Sequence, residues 1–92
     1  MYEISKEIKI KNIVIVLLEI PYNQINNENI FCKSLDTSEI SWTIERKRSK
    51  ADNSPYVNIF LNNEKLFAVN YDGWTEEIDI NDGKIVGSKF TK

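Results

Sequence analysis

The last quarter of the chain constrains its fold most. Tyr71-Asp72-Gly73-Trp74 and Ile78-Asp79-Ile80-Asn81-Asp82-Gly83-Lys84-Ile85-Val86 place two glycine turns ten residues apart, with short apolar strands between and around them. Asp-Gly and Asn-Asp-Gly supply the positive φ that tight hairpins need. The chain must fold back on itself twice here, and the class that follows is antiparallel β.

Residue types elsewhere agree. The apolar set leans on Ile, Val, Phe, Tyr and Trp, which suit a half-buried pleated surface. Alanine, the best helix former, occurs only at Ala51 and Ala68. A length of 92 residues with 41% apolar content supports one small domain, 1–92, with its own core. A net charge of -2 and a pI near 5.1 do not favour non-specific binding to nucleic acid or to an acidic membrane.

Hydrophobic periodicity divides the chain into seven or eight short strands. Tyr2, Ile4, Lys6, Ile8 and Ile10 alternate with charged and polar neighbours. Ile13 to Ile20 is apolar on both faces except at Glu19, which predicts a strand covered on both sides. Pro21 ends it, and an Asn-rich loop runs to Asn29. Ile30 to Leu35 and Ile40 to Ile44 form a hairpin around Thr37-Ser38. That turn sets Leu35 against Ile40, Phe31 against Ile44 and Lys33 against Trp42, so Lys33 either snorkels over the indole or is re-aimed by a bulge at 33–34.

The second half reads as a four-stranded meander. A three-residue turn, Asn62-Asn63-Glu64, pairs Ile59 with Phe67 and Val57 with Val69. A two-residue Asn62-Asn63 turn would leave apolar residues on both faces, so the three-residue register is the preferred one. Asp72-Gly73 then pairs Tyr71 with Trp74 and Phe67 with Ile78. Asn81-Asp82-Gly83 pairs Ile78 with Val86 and Trp74 with Phe90. The expected core face is Val57, Ile59, Phe67, Val69, Tyr71, Trp74, Ile78, Val86 and Phe90. The fold class is therefore all-β: an antiparallel meander of seven to eight short strands, forming a small sandwich or open barrel.

The halves, roughly 1–48 and 55–92, look alike in outline. Each has an apolar strand pair, then Leu35-Asp36 or Ile78-Asp79, a tight turn, and Glu39-Ile40 or Lys84-Ile85. On these residues the chain resembles the pyrroloquinoline-quinone-type β-propeller repeat, whose blades carry an aliphatic-Asp pair, a short turn with Gly, and then Lys-aliphatic or an aliphatic leading to Trp. Ile78-Asp79-Ile80-Asn81-Asp82-Gly83-Lys84-Ile85 follows that pattern, and Leu35-Asp36-Thr37-Ser38-Glu39-Ile40-Ser41-Trp42 follows it without the Gly and one residue short. The resemblance implies two blade-like halves and a scaffold for binding. It implies no quinone, because two blades do not close the ring that would hold one. A homo-oligomer that completes a larger ring is an alternative to a self-contained sandwich.

Chemistry-bearing residues are few. No histidine is present and Cys32 is the only cysteine, so no intrachain disulfide and no Ser-His-Asp triad can form. Cys32 reads as a small apolar side chain in a strand rather than a nucleophile. Glu76, Glu77, Asp79 and Asp82 cluster near the Gly83 turn, but Glu77 and Asp79 fall on the solvated face. Asp79 to Gly83 lacks the later bidentate Glu of a calcium loop. No metal and no cofactor is expected.

The candidate binding residues are Arg46, Lys47, Arg48 and Lys50, with Tyr56 nearby. A solvated strand end is the ordinary reading of such a run. As a site, it suits an acidic protein surface better than nucleic acid. Exposed members among Tyr22, Tyr56, Trp74 and Phe90 would make an aromatic patch. No signal sequence is readable and the longest apolar run is too short to span a bilayer, so the expectation is a cytoplasmic bacterial protein. The functional expectation is a non-catalytic protein-interaction module, with a toxin-neutralising immunity protein as one concrete form. The alternative is a glycan- or ligand-binding β module that uses exposed aromatics.

Overall fold

The computed structural model describes residues 2–45 and 54–90. Eight strands run in chain order: β1 (Glu3–Ile10), β2 (Ile13–Glu19), β3 (Ile30–Ser34), β4 (Ile40–Thr43), β5 (Tyr56–Asn62), β6 (Lys65–Asn70), β7 (Trp74–Ile78) and β8 (Ile85–Phe90). They form two four-stranded antiparallel sheets, β1-β2-β3-β4 and β5-β6-β7-β8, packed as an open sandwich. Each half is thus one meander.

Ile15, Leu17, Ile30, Cys32, Trp42 and Ile44 from the first sheet meet Tyr56, Ile59, Leu66, Ala68 and Ile78 from the second. This buried layer is the core, and removal of its apolar surface from water is the main stabilising term.

β2 is buried on both faces, as its sequence demands. Among the described residues no third layer covers its outer side. Val14 lies between Lys9 and Lys33 in the ladder, and Val16 lies between Glu7 and Phe31. Longer side chains on the flanking strands shelter the two short valines, because cross-strand neighbours share a face.

Bulges correct one expected face and two expected sets of pairings. In β1 an extra residue at Ser5 puts Ile4 opposite Leu18 and Lys6 opposite Leu17. Ile8 and Ile10 therefore face the core while Ile4 is exposed, against the expected single face. In β4 an extra residue at Ser41 sets Trp42 against Cys32 and Lys33 against Ile40. A bulge does re-aim Lys33 away from the indole, but on the partner strand. In β8 the extra residue is Val86, so Ile78 pairs with Ile85, while Trp74 pairs with Phe90 as expected.

The β5–β6 register differs from the preferred one by a single residue. Asn63 and Glu64 form a two-residue turn with φ of 51° and 63°, which pairs Ile59 with Ala68 and Phe60 with Phe67. Both angles are left-handed, where asparagine is tolerated and glutamate is uncommon. The next turn, Tyr71-Asp72-Gly73, has three residues and sets Val69 against Thr75 and Leu66 against Ile78. Leu66 and Ala68 therefore face inward. Phe67 and Val69 lie half-buried on the outer face, where Phe67 stacks on Phe60 with centroids 5.4 Å apart. Of the expected core residues, Val57, Tyr71 and Val86 are exposed. Tyr56 takes an inward place because Val57 bulges out.

Candidate functional site

Arg46, Lys47, Arg48 and Lys50 lie outside the described residues. Tyr56 is buried, and its hydroxyl donates to Glu76 Oε1. It therefore presents no binding surface. Glu76 shares a strand face with Trp74 and Ile78 and so points inward, where it is 7% exposed and its Oε2 also accepts from Ser88 Oγ at 3.3 Å. Tyr56, Glu76 and Ser88 join β5, β7 and β8 through one carboxylate. With so little of it exposed, Glu76 serves the core rather than solvent. Cys32 is buried between strands and burial pushes its thiol up, which opposes formation of the nucleophilic thiolate. Among the described residues, no group of three or more Cys, Asp or Glu side chains is placed to hold a metal ion.

Exposed aromatics gather elsewhere. The β2–β3 loop, the approach to β5 and the β6–β7 turn meet at one end of the sandwich. There Ile20, Pro21, Tyr22, Pro55, Val57 and Tyr71 line a cleft of about 360 Å³. Pro21 lacks an N–H and stops β2. Its carbonyl accepts from Gln24 N–H at 3.0 Å, a turn that leaves Tyr22 96% exposed. Pro55 carbonyl accepts from Tyr71 N–H at 2.9 Å, which fixes Tyr71 beside it at 70% exposure.

Buried polar side chains hold these walls together. Asn29 is fully buried, and its Nδ2 donates to the carbonyls of Leu18 at 2.8 Å and Tyr56 at 2.9 Å. Its Oδ1 accepts from Tyr56 N–H at 2.9 Å. One side-chain amide thus bridges the end of β2 to the start of β5, as a backbone amide would. Ser54 N–H donates to Asn27 Oδ1 at 2.9 Å, and Ser54 Oγ accepts from Asp72 N–H at 3.2 Å. Asn70 Oδ1 accepts from Trp74 N–H at 2.9 Å, closing the turn that carries Tyr71. Loops tied by buried hydrogen bonds are set in place before any ligand arrives, which lowers the ordering cost of binding.

Tyr22 belongs to the aromatic patch expected from the sequence; Tyr56 does not, and Trp74 is half-buried. Tyr71 was expected in the core and instead forms a wall. The signal that marks it is its place beside Asp72-Gly73, where Gly73 has φ 96° and a turn residue precedes it. Pro21 and Pro55 act as wall residues as well as strand boundaries.

No curated protein matches this chain. A family model does, over residues 1–90. The chain therefore belongs to the family described as a domain of unknown function (DUF7957).

Proposed function

We propose that this domain is a non-catalytic protein-interaction module that docks its partner at the Tyr22–Tyr71 cleft. One observation carries the reading. Two tyrosines, 96% and 70% exposed, flank an apolar cleft whose walls are tied by the buried Asn29, Ser54 and Asn70. Exposed tyrosines with an apolar ring and a polar tip are the side chains that interfaces favour. A small chain that blocks a toxin is one form of this reading, supported by its size and acidic balance.

The test is capture from the native lysate with tagged wild type and with Tyr22→Ser/Tyr71→Ser, at low and high salt. A stoichiometric partner held by the wild type and lost by the double variant supports the cleft, given unchanged melting curves. A partner held equally by both places the interface elsewhere. Capture of nothing removes the reading.

A further inference from the structure

The cleft has a neighbour. Tyr2, Glu3, Glu19, Ile20, Pro21 and Tyr22 line a second hollow of about 470 Å³. Ile20, Pro21 and Tyr22 belong to both hollows, so the two adjoin along this segment, from which Tyr22 projects at 96% exposure. Among the described residues, none that lines the Tyr71 hollow is charged. The other has two carboxylates, and they are register partners: Glu3 pairs with Glu19 at the end of the β1–β2 ladder. Like charges directly opposite one another destabilise a sheet. A cation placed between them reverses the sign of that interaction.

Resting on the interaction reading above, we propose that the occupant is an extended, proline-rich segment of another protein, with an Arg or Lys at the end that lies beside Glu3 and Glu19. A polyproline II segment has three residues per turn, no internal hydrogen bonds and little ordering entropy left to lose. Its proline faces fit a shallow apolar hollow edged by aromatic rings, as the Tyr71 hollow is, and its free carbonyls accept from tyrosine hydroxyls. Tyr22 on the segment that the two hollows share, with Tyr71 lining one and Tyr2 the other, supplies those rings. The paired carboxylates supply the polarity, selecting a basic residue and fixing which way the segment runs. A second copy of this chain does not fit as the occupant. Its Pro21 and Pro55 are single prolines already built into the walls.

The test uses the full chain, isotope-labelled for amide NMR, and a pooled library of decapeptides with fixed Pro-x-x-Pro and Arg or Lys at one end. Binding should shift the amides of Glu3, Ile20, Tyr22 and Tyr71. Tyr22→Ser and Tyr71→Ser should each weaken it by at least about tenfold, in line with truncation of an interface tyrosine. Glu19→Gln should weaken it by about two- to fivefold and flatten its salt dependence, the range of an exposed ion pair. Replacing the peptide's Arg by Glu should remove binding. The proposal is overturned if no library member binds, if the Arg→Glu peptide binds as well, or if simple oligosaccharides shift the same amides instead. The two readings fail separately. A lysate partner that needs Tyr22 and Tyr71 while no peptide binds keeps the docking cleft and removes this occupant. A lysate partner indifferent to both tyrosines removes the cleft as well.

Discussion

The two ends of the sandwich are finished in opposite ways. At the end formed by the β7–β8 turn, Trp42 lies on Gly83 and its Nε1–H donates to Ile80 O at 2.7 Å. A ring, a glycine and a carbonyl satisfy one another, and the indole is 8% exposed. At the other end the hydrogen bonds are inside, Tyr56 is the ring that is buried with them, and two further rings are outside. Asn29, Ser54 and Asn70 are buried, while Tyr22 and Tyr71 face solvent. The first end uses its aromatic residue to close the core. The second holds its loops with amides and a hydroxyl, which leaves aromatic surface free to meet something else. The contrast separates residues that keep the fold from residues available for recognition.

Substitutions can break this contrast, and the largest effects belong to the closed end. Trp42→Ala should cost about 4 kcal/mol in urea melts, combining lost burial with an unfilled cavity. Gly83→Ala should cost about 3 kcal/mol, because the new Cβ would sit 2.4 Å from Trp42 Cε3 at a φ of 77°. A loss under about 1 kcal/mol in either would mean that the indole does not close this end.

Asn29→Ala tests the tie at the open end. It leaves the buried N–H and carbonyl of Tyr56 and the part-buried carbonyl of Leu18 without their partner, and should cost about 2–3 kcal/mol. It should also loosen the tyrosine cleft, seen as faster amide exchange at Tyr71. Stability near the wild type would show that the loops are held by something else.

Smaller effects sharpen the comparison. Glu64→Gly should raise stability by about 0.5–1 kcal/mol, since glycine adopts φ 63° without the strain of a Cβ. A clear loss there would return the hairpin to a three-residue register. Tyr22→Ser should move stability by less than about 0.5 kcal/mol while removing the partner. A large destabilisation would make Tyr22 part of the fold rather than of a docking surface.

The outer faces of β2 and β6 show how far alternation can be read. Both strands are apolar on both sides. In β2 the inner pair Ile15 and Leu17 and the outer pair Val14 and Val16 are all buried, and the flanking Lys9, Lys33 and Phe31 account for the difference in cover. In β6 either pair could have faced inward. Leu66 and Ala68 do so, and Phe67 and Val69 remain half-buried outside. When both faces are apolar, period 2 no longer selects a register, and the turn decides. Here the turn uses Asn63-Glu64, and nothing in a glutamate announces a left-handed φ.

The candidate site was legible only in fragments. Tyr22 follows a strand-ending proline in a polar loop, so its exposure could be read. The burial of Tyr56 could not, because it depends on the bulge at Val57 and on the Glu76 carboxylate twenty residues away. The role of Asn29 was hidden for the same reason. A loop asparagine is ordinary in sequence, and only its contact with Tyr56, 27 residues on, makes it a tie between sheets.

By itself the sequence determined the all-β class, the strands, the positive φ at Gly73 and Gly83, and the depth of β2. These follow from local properties: side-chain period, β-branching and the freedom of glycine. Tertiary structure alone decided the four bulges, the face that β6 turns inward, and the meeting of Tyr2, Tyr22 and Tyr71 around Pro21 and Pro55. A bulge costs little locally and its worth is set by which residues it brings together across the sandwich. That balance is a property of distant pairs, and no single segment of the chain contains it.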